Sequence, residues 1–186
     1  MEMFDVRTPQ GDPTGEVKER SAVHRDGDWH GTAHIWLGRR REGRIELLLQ
    51  KRSRTKESFP GCYDTSCAGH LSAGDTFLEA ALRELEEELG IAASGEELYF
   101  AGIYPCQVDD YFGGKHILDR EISAVYLYEK PVNEADLRLQ AEEVEAVCWI
   151  DFERLKELAA AGAEGYCIFP WETSALESAF QRRYGI

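Results

Sequence analysis

The chain has 186 residues, of which 43% are hydrophobic and 30% charged, a balance typical of one globular domain with a single core. No apolar run is long enough to cross a bilayer, and the N-terminus lacks the basic start and apolar stretch of a secretory signal, so we expect a cytoplasmic protein without a membrane partner. The formal net charge of -14 gives nucleic-acid binding no electrostatic support, and it indicates that a phosphate substrate needs a cation between it and the protein.

The predicted elements alternate between strands and helices along a single domain, residues 1–186. A turn rich in Pro and Gly separates two short strands, so residues 3–20 are predicted to form an N-terminal β-hairpin. Because strands and helices interleave without a regular βαβ rhythm, the pattern favours the α/β class with a mixed sheet between helical layers. The other predicted strands are 34–37, 45–52, 64–68, 98–104, 119–129 and 144–150, and the predicted helices are 76–89, 151–161 and 171–184.

Residues 76–89 carry the clearest helical pattern, since apolar side chains recur at helical spacing between two candidate caps, Asp75 and Thr76, and a terminating glycine. At about 100° per residue, Glu84, Glu87 and Glu88 fall within roughly 100° of arc, opposite the leucines. Carboxylates that share one exposed face repel one another unless a cation neutralises them, and a hard divalent ion such as Mg²⁺ prefers these oxygen ligands. The helix therefore predicts a metal site, and the alternative is a solvated acidic helix in which Arg83 pairs with Glu87.

The loop before this helix decides between the two interpretations. Residues 69–91 hold Gly, Arg-Glu, apolar, Glu-Glu and Gly-apolar positions at the spacing of the Nudix box, and the segment resembles that motif over its whole length. One position differs, because the family usually has Glu where this chain has the shorter Asp75. The resemblance implies a Nudix-type α/β/α sandwich around a mixed β-sheet, with 69–91 as its loop-helix. It also implies a hydrolase that cleaves a diphosphate linkage in a nucleoside diphosphate derivative or similar small molecule.

The matching positions of the box supply the candidate site residues. The resemblance implies that Glu84, Glu87 and Glu88 bind Mg²⁺ or Mn²⁺ as the cofactor, and that the Gly69 carbonyl adds a ligand. Two carboxylates, Glu84 and Glu88, are candidates for the catalytic base, because family members differ in which one takes the proton. Arg83 is implied as a further catalytic residue, oriented by the acidic side chain at position 75. The ion would offset phosphate charge and acidify a water molecule for attack on phosphorus.

Outside the box, the chain is similar to the isopentenyl-diphosphate isomerase-like branch of the Nudix superfamily over most of residues 3–175. In that branch an Arg and a Lys at a strand end contact the substrate diphosphate, and Arg52 and Lys56 are the matching positions. Their alternative is a solvated basic turn, because Lys and Arg are usually surface residues. The branch also sets an aromatic ring against a developing carbocation. Trp171 matches that position as a substrate contact, with a core tryptophan as its alternative.

The same branch holds a further metal ion with three histidines and two acidic residues. Neutral imidazoles joined by carboxylates suit manganese, iron or zinc, although a lone histidine is more often structural than a ligand. The residues at similar places in this chain are His24, His30, His70, Asp119 and Glu121.

The isomerases also need a catalytic cysteine just before the Gly-His pair, where this chain has Ala68. Cys67 stands one position early, and on a strand that shift turns its thiol to the opposite face. This difference and the nearly complete box favour hydrolysis, with isomerisation as the second hypothesis. The third, a non-catalytic metabolite-sensing module, is disfavoured because such modules commonly lose box carboxylates. We expect loops such as 105–116 to recognise the leaving group, and because their sequence carries no recognisable code, the identity of that group is not predicted. No oligomeric state is predicted either.

Overall fold

Strands and helices follow one another through residues 2–185 of the computed structural model, which describes Lys115 by its backbone alone. Within these residues, no helix is long and apolar enough to cross a membrane. The strands are β1 (Met3–Arg7), β2 (Pro13–Glu19), β3 (Trp29–Arg41), β4 (Arg44–Arg52), β5 (Tyr63–Asp64), β6 (Cys67–His70), β7 (Leu98–Phe112), β8 (Lys115–Tyr128) and β9 (Val144–Asp151). The helices are α1 (Arg20–Asp26), α2 (Phe77–Leu89), α3 (Phe152–Ala161) and α4 (Pro170–Tyr184).

Strand β3 organises the sheet because it pairs with four neighbours, of which β1 meets it only at Trp29. It runs parallel to β8 over residues 29–37, antiparallel to β6 over 32–35, and antiparallel to β4 over 38–41. Where β3 and β4 part, the Ser66 hydroxyl accepts a hydrogen bond from Leu37 N at 2.8 Å and donates one to Leu48 O at 2.5 Å. The sheet is therefore mixed, because β3 has both parallel and antiparallel neighbours. Ser66, which directly precedes β6, joins β3 to β4 at the point where they separate.

Two buried clusters cover the two faces of the sheet. Helix α2 contributes Leu85 and Leu89 to one cluster, together with Ile35 of β3. Helices α3 and α4 contribute Leu155 and Leu176 to the other, together with the neighbouring β3 residue Trp36. Successive side chains of a strand point to opposite faces, so β3 feeds both cores. The predicted α/β architecture, with a mixed sheet between helical layers, is confirmed.

Helix α2 begins and ends where its sequence indicates. Thr76 caps the helix in a capping box with Glu79, and Gly90 ends it in the left-handed region at φ 72°. Each device satisfies backbone groups that a helix end would otherwise leave unpaired. The box helix is thus fixed at both ends, which sets the positions of its carboxylates.

The N-terminal hairpin is present as β1 and β2, but two features differ from the sequence predictions. Helix α1 was not predicted, because it is short and buries only Val23. The loop predicted over 105–116 was wrong, since those residues form the paired ends of β7 and β8. Polar side chains in these strand ends obscured the alternation of apolar and polar residues that predicts a strand. The turn between the two strands is Gly113-Gly114, with both φ angles positive at 57° and 82°. Two such glycines are the preferred connection of a tight hairpin.

Candidate active site

A cleft of about 630 Å³ opens between the sheet, α2 and the first turn of α4. Strands β3, β6 and β8 form its floor, and the segments 55–59 and 140–143 contribute to its rim. Almost every residue singled out from the sequence lines this cleft, although they are spread from position 24 to position 171. The structure therefore brings the box carboxylates, the basic strand end and most of the histidine cluster into one site.

The box carboxylates meet the β6 backbone at the floor of the cleft. A Cβ added at Gly69 would overlap the carboxylate of Glu84, so a glycine is needed for the two to approach this closely. Glu87 is exposed at the rim, but Glu88 is buried at 4% exposure. The prediction that all three carboxylates lie on one exposed face was therefore wrong for Glu88. That side of α2 packs towards β4, where Gln50 Nε2 donates to Glu88 Oε2 at 3.4 Å.

Burial gives these carboxylates an unfavourable electrostatic environment. Burial and the nearby charge of Glu84 raise the pKa of Glu88 to about 8. Burial also raises the pKa of Glu84, and Glu143 adds further repulsion to both side chains. Acidic groups that repel one another in a buried cleft are stabilised by a cation, and oxygen ligands of this kind suit a hard divalent ion. The carboxylate oxygens of Glu84, Glu87 and Glu88 are of the chemical kind that Mg²⁺ or Mn²⁺ prefers.

Arg83 ties the box helix to the loop that precedes it. Its guanidinium forms an ion pair with Asp75, donates to His70 O at 2.8 Å and donates to Glu84 Oε1 at 3.2 Å. The shorter Asp75 therefore reaches Arg83 in the way that the family's Glu is expected to do. The alternative pairing of Arg83 with Glu87 on a solvated helix is not what the structure has, because the guanidinium points towards the loop and Glu84.

Arg52 and Lys56 line the same cleft as the box carboxylates. Arg52 Nη1 donates to Asp64 Oδ2 at 2.9 Å, while its Nε and Nη2 atoms donate to Ser58 O at 3.2 and 3.1 Å. Lys56 forms an ion pair with Glu143. Their side chains are 16% and 24% exposed, which contradicts the alternative of a solvated basic turn. Both cations are held in place and line the cleft.

The three predicted histidines and two acidic residues converge beside the floor of the cleft. Nε2 of His30 lies 3.3 Å from Nε2 of His24 and 3.4 Å from Oδ1 of Asp119. Nε2 of His70 lies 3.7 Å from Oε1 of Glu121. Ligand atoms of the three histidines all lie within 4.8 Å of one another, as do those of His30, Asp119 and Glu121. Residues separated by almost a hundred positions thus meet with nitrogen and oxygen atoms turned towards one point.

The electrostatics of this cluster fit a bound cation. Burial and the neighbouring His30 lower the pKa of His24 to about 4, and burial lowers the pKa of His70 well below its usual value. The imidazoles are therefore neutral, which is the form that binds a metal ion. Among the described residues, the buried atoms His70 Nε2 and Asp119 Oδ1 have no hydrogen-bond partner. Buried polar atoms without partners are rare, and a metal ion between them would satisfy both.

Two cleft residues that the sequence analysis missed lie behind Glu121. His34 contacts Glu172 through Nδ1 at 3.1 Å and Glu121 through Nε2 at 3.7 Å. Burial alone would lower the pKa of His34, but these two carboxylates raise it to about 10. The ring of His34 is 5.8 Å from that of Trp171, which lines the cleft and also packs against the α3–α4 core. A signal was available for His34, since alternation places it on the same face of β3 as His30.

Strand β6 presents Ala68 to the cleft and Cys67 to the core. Ala68 lines the cleft and pairs with His34 in the β3–β6 ladder, whereas Cys67 is fully buried beside α2. The alternation of a strand produces this arrangement. Burial also raises the pKa of the Cys67 thiol, which keeps it protonated. No thiol therefore stands at the position where the isomerases have their catalytic cysteine.

Comparison with known proteins matches most of the chain to one family. The NUDIX domain family model matches residues 28–171. Nudix hydrolase 3 of Arabidopsis thaliana is 42% identical over 169 residues, covering 89% of this chain, which spans only 21% of the plant protein's length. Isopentenyl-diphosphate Delta-isomerase 1 of Mesocricetus auratus is 34% identical over 140 residues, covering 68% of this chain and 59% of the isomerase.

The fold is also that of a solved protein. The crystal structure of a Deinococcus radiodurans protein, DR0079, superposes with a TM-score of 0.67 at 19% identity, covering 93% of this chain and 98% of that one. At that identity the likeness concerns the fold alone, and it agrees with the sheet and helical layers described above. The family model, by contrast, covers the box, the basic strand end and the histidine cluster apart from His24. The chain therefore belongs to the Nudix hydrolase family, and it is also similar to isopentenyl-diphosphate isomerases over 140 residues.

Proposed function

We propose that this Nudix hydrolase cleaves a diphosphate linkage in a nucleoside diphosphate derivative or a similar small molecule, with Mg²⁺ or Mn²⁺ as its cofactor. One observation carries the proposal. The carboxylate of Glu84 lies against the Gly69 backbone, and the cations Arg52 and Lys56 line the same cleft. A diphosphate bound to Arg52 and Lys56 would share the cleft with the box carboxylates, whose negative charge would repel it unless a metal ion lay between them.

The residues of the box would hold that ion. Glu84, Glu87 and Glu88 supply carboxylate oxygens, and the Gly69 carbonyl supplies a further ligand. A bound divalent ion offsets the charge of the phosphates and acidifies a water molecule in the cleft. Arg83 keeps Glu84 turned towards Gly69 through its hydrogen bond to Oε1 at 3.2 Å. Without a cation, burial disfavours the ionised forms of Glu84 and Glu88, and a bound metal ion would favour them, which supports a metal-dependent reaction.

The chain's own groups account for the remaining steps. Arg52 and Lys56 bind phosphate oxygens and orient the diphosphate, since Arg presents a fork of donors and Lys a point charge. A water oxygen forms a bond to phosphorus while the bridging P–O bond breaks and the leaving phosphate departs with the bonding electron pair. Glu84 or Glu88 accepts the proton that the water loses. Glu143 competes for Lys56 before substrate binds, so binding would exchange one anionic partner of Lys56 for another.

A second metal ion is proposed at the histidine cluster. His24, His30 and His70 offer neutral nitrogens, and Asp119 and Glu121 offer carboxylate oxygens, a set that suits manganese, iron or zinc. Nε2 of His70 and Oδ1 of Asp119 support this assignment, because they form no hydrogen bond and have only contacts of 3.4 to 3.8 Å within the cluster. Both sites adjoin β6, because Gly69 belongs to the box and His70 to the cluster.

Aromatic rings at the mouth of the cleft support an organic leaving group with a flat ring. Phe59 and Phe169 line the cleft with centroids 6.2 Å apart, and Phe59 also contacts Phe112 at 4.6 Å. Phe59 has a positive φ of 49°, which is strained for a non-glycine residue and occurs often where a side chain is held for binding. Together with Trp171, these rings offer faces on which a nucleobase could stack.

Isomerisation of isopentenyl diphosphate is the second candidate, because the chain is 34% identical to an isomerase over 140 residues. The cleft side chain at the position of the isomerase cysteine is Ala68, which cannot move a proton. A non-catalytic sensing role is the third candidate, and the complete set of box carboxylates argues against it.

The test is phosphate release across nucleotide, sugar-nucleotide, dinucleotide and prenyl diphosphates, each with Mg²⁺ or Mn²⁺. We expect metal-dependent release from at least one nucleotide-containing substrate and no exchange of protons on isopentenyl diphosphate. Isomerisation without any diphosphate cleavage would overturn the proposal, and metabolite binding without turnover would favour the sensing role.

A further inference from the structure

The carboxylate of Glu121 divides its two oxygens between different neighbours. Its Oε1 atom lies 3.7 Å from Nε2 of His70, on the side of the histidine cluster. Its Oε2 atom lies 3.7 Å from Nε2 of His34 and 3.4 Å from the hydroxyl of Thr32. One oxygen is therefore turned towards the cluster, and the other is held from behind by β3.

His34 is held in turn by Glu172, from the first turn of α4. Oε1 of Glu172 lies 3.1 Å from Nδ1 of His34, and Oε2 accepts a hydrogen bond from Phe169 N at 2.9 Å. Glu172 is 1% exposed, so its carboxylate has little contact with water. A continuous series of contacts thus runs from the N-terminus of α4, through Glu172 and His34, to Glu121.

Packing alone does not explain this series. A buried carboxylate and a half-buried one on one imidazole carry a desolvation cost, and apolar residues of similar volume are often as stable or more stable in such places. The neighbouring side chains of Ala33 and Ile35 are fully buried in the apolar core on the opposite face of β3, whereas His34 lines the cleft. Charged groups retained at this cost are expected where they orient a functional side chain, and side chains that hold a metal ligand from behind have this property.

We propose that His34 and Glu172 are positioning residues that fix Glu121 with Oε1 presented to the histidine cluster. The proposal rests on the second metal site proposed above. Holding Oε2 removes the rotational freedom that Glu121 would otherwise lose when it binds an ion, so the ligand is oriented in advance. Because Glu172 follows Trp171 directly, the same device links the aromatic wall of the cleft to the metal site.

The experiment measures Mn²⁺ binding rather than turnover. Free Mn²⁺ is followed by electron paramagnetic resonance in Glu87→Gln protein, which weakens the box site and leaves the histidine cluster as the tight site. His34→Gln and Glu172→Gln are then added singly and together. Gln at position 172 keeps the size of the side chain and an acceptor for Phe169 N. Ser174→Ala, an exposed change on the same helix, is the matched control.

Each single variant is expected to weaken Mn²⁺ binding by about 10- to 100-fold, the usual effect of removing a residue that supports a metal ligand. The double variant should lose no more Mn²⁺ affinity than the more strongly affected single variant, because both substitutions act through the same contact. Ser174→Ala should leave the affinity unchanged. If His34→Gln does not fold, Glu172→Gln alone carries the test.

Two outcomes would overturn the proposal in distinguishable ways. Unchanged Mn²⁺ affinity in His34→Gln and Glu172→Gln, together with its loss in Glu121→Gln, would leave the metal site intact and remove the positioning role. No Mn²⁺ binding by the Glu87→Gln parent would remove the second metal site and the positioning role with it. Diphosphate hydrolysis by the unsubstituted protein is measured separately, so neither result would be confused with failure of the hydrolase assignment.

Discussion

The carboxylate of Glu84 occupies the space that a side chain at Gly69 would need. A side chain at position 69 would therefore have to displace the carboxylate of a residue fifteen positions later, and the glycine lets that carboxylate approach the backbone. The contact joins the strand end to the box helix and fixes how far the carboxylate stands from the β6 backbone.

Gly69→Ala should consequently displace Glu84 and reduce turnover by about 100-fold, since a displacement of about 1 Å in a catalytic group can cost that much. The variant should still fold, because Glu84 can swing towards the cleft. Steady-state hydrolysis with saturating Mg²⁺ measures the effect. Gly38→Ala is the control, because a Cβ there meets Leu47 at an ordinary 3.6 Å. Full activity in Gly69→Ala would mean that Glu84 has no fixed position in the reaction.

Glu87→Gln should lower turnover by orders of magnitude while leaving the fold intact. Glu87 is exposed, so removing its charge costs little stability, but it would remove a metal ligand. Glu86→Gln provides the matched control, because Glu86 is an exposed neighbour on the same helix. Thermal unfolding should be nearly unchanged in both variants. Turnover that drops equally in Glu86→Gln would point to the general charge of the helix rather than to one ligand.

Lys56→Ala should raise KM by about 10-fold or more with a smaller effect on kcat, because a hydrogen bond to a charged group contributes about 1.5–3 kcal/mol. Lys51→Ala removes a similar pair, between Lys51 Nζ and Glu145 Oε1 at 2.9 Å, that is not part of the cleft lining. Initial rates over a range of substrate concentrations separate the two parameters. Equal KM values for Lys56→Ala and Lys51→Ala would show that Lys56 does not bind the diphosphate.

Cys67→Ala should keep diphosphate cleavage and lose stability. Its thiol is buried in the core beside α2, so truncation leaves a small cavity and costs about 0.5–3 kcal/mol. Denaturant unfolding and hydrolysis are measured on the same preparation. Isopentenyl-diphosphate isomerisation by the unsubstituted protein that vanishes in Cys67→Ala would contradict this assignment, since it would require the thiol to reach the cleft.

The local parts of the site could be predicted from the sequence. The box is a continuous segment, and its cap, its glycines and the spacing of its carboxylates are all encoded within residues 69–91. Arg52 and Lys56 were predicted by similarity, and the structure adds the reason that they are ordered, namely their contacts with Ser58, Asp64 and Glu143.

The parts that depend on distant contacts could not be predicted. Helical spacing places Glu88 beside Glu84 but does not reveal that this side of α2 packs towards Gln50. His34 and Glu172 are 138 positions apart, and they meet because the first turn of α4 lies beside β3. The ends of β7 and β8 were taken for a loop because polar side chains on their outer face masked the alternation.

The hairpin of β7 and β8 forms a wall of the cleft whose length can change through insertions or deletions at its turn. Its inward side chains include Cys106, Val108 and Ile117, whereas β8 joins β3 only from Arg120 onwards. Towards its turn, the hairpin packs against the end of α1, where Leu118 contacts Gly27. Strand residues alternate between faces, so a change of two residues in each strand beside the Gly113-Gly114 turn would preserve which side chains face inwards. Evolution could thus change the reach of the hairpin, and with it the size of the accepted leaving group, without moving the metal ligands.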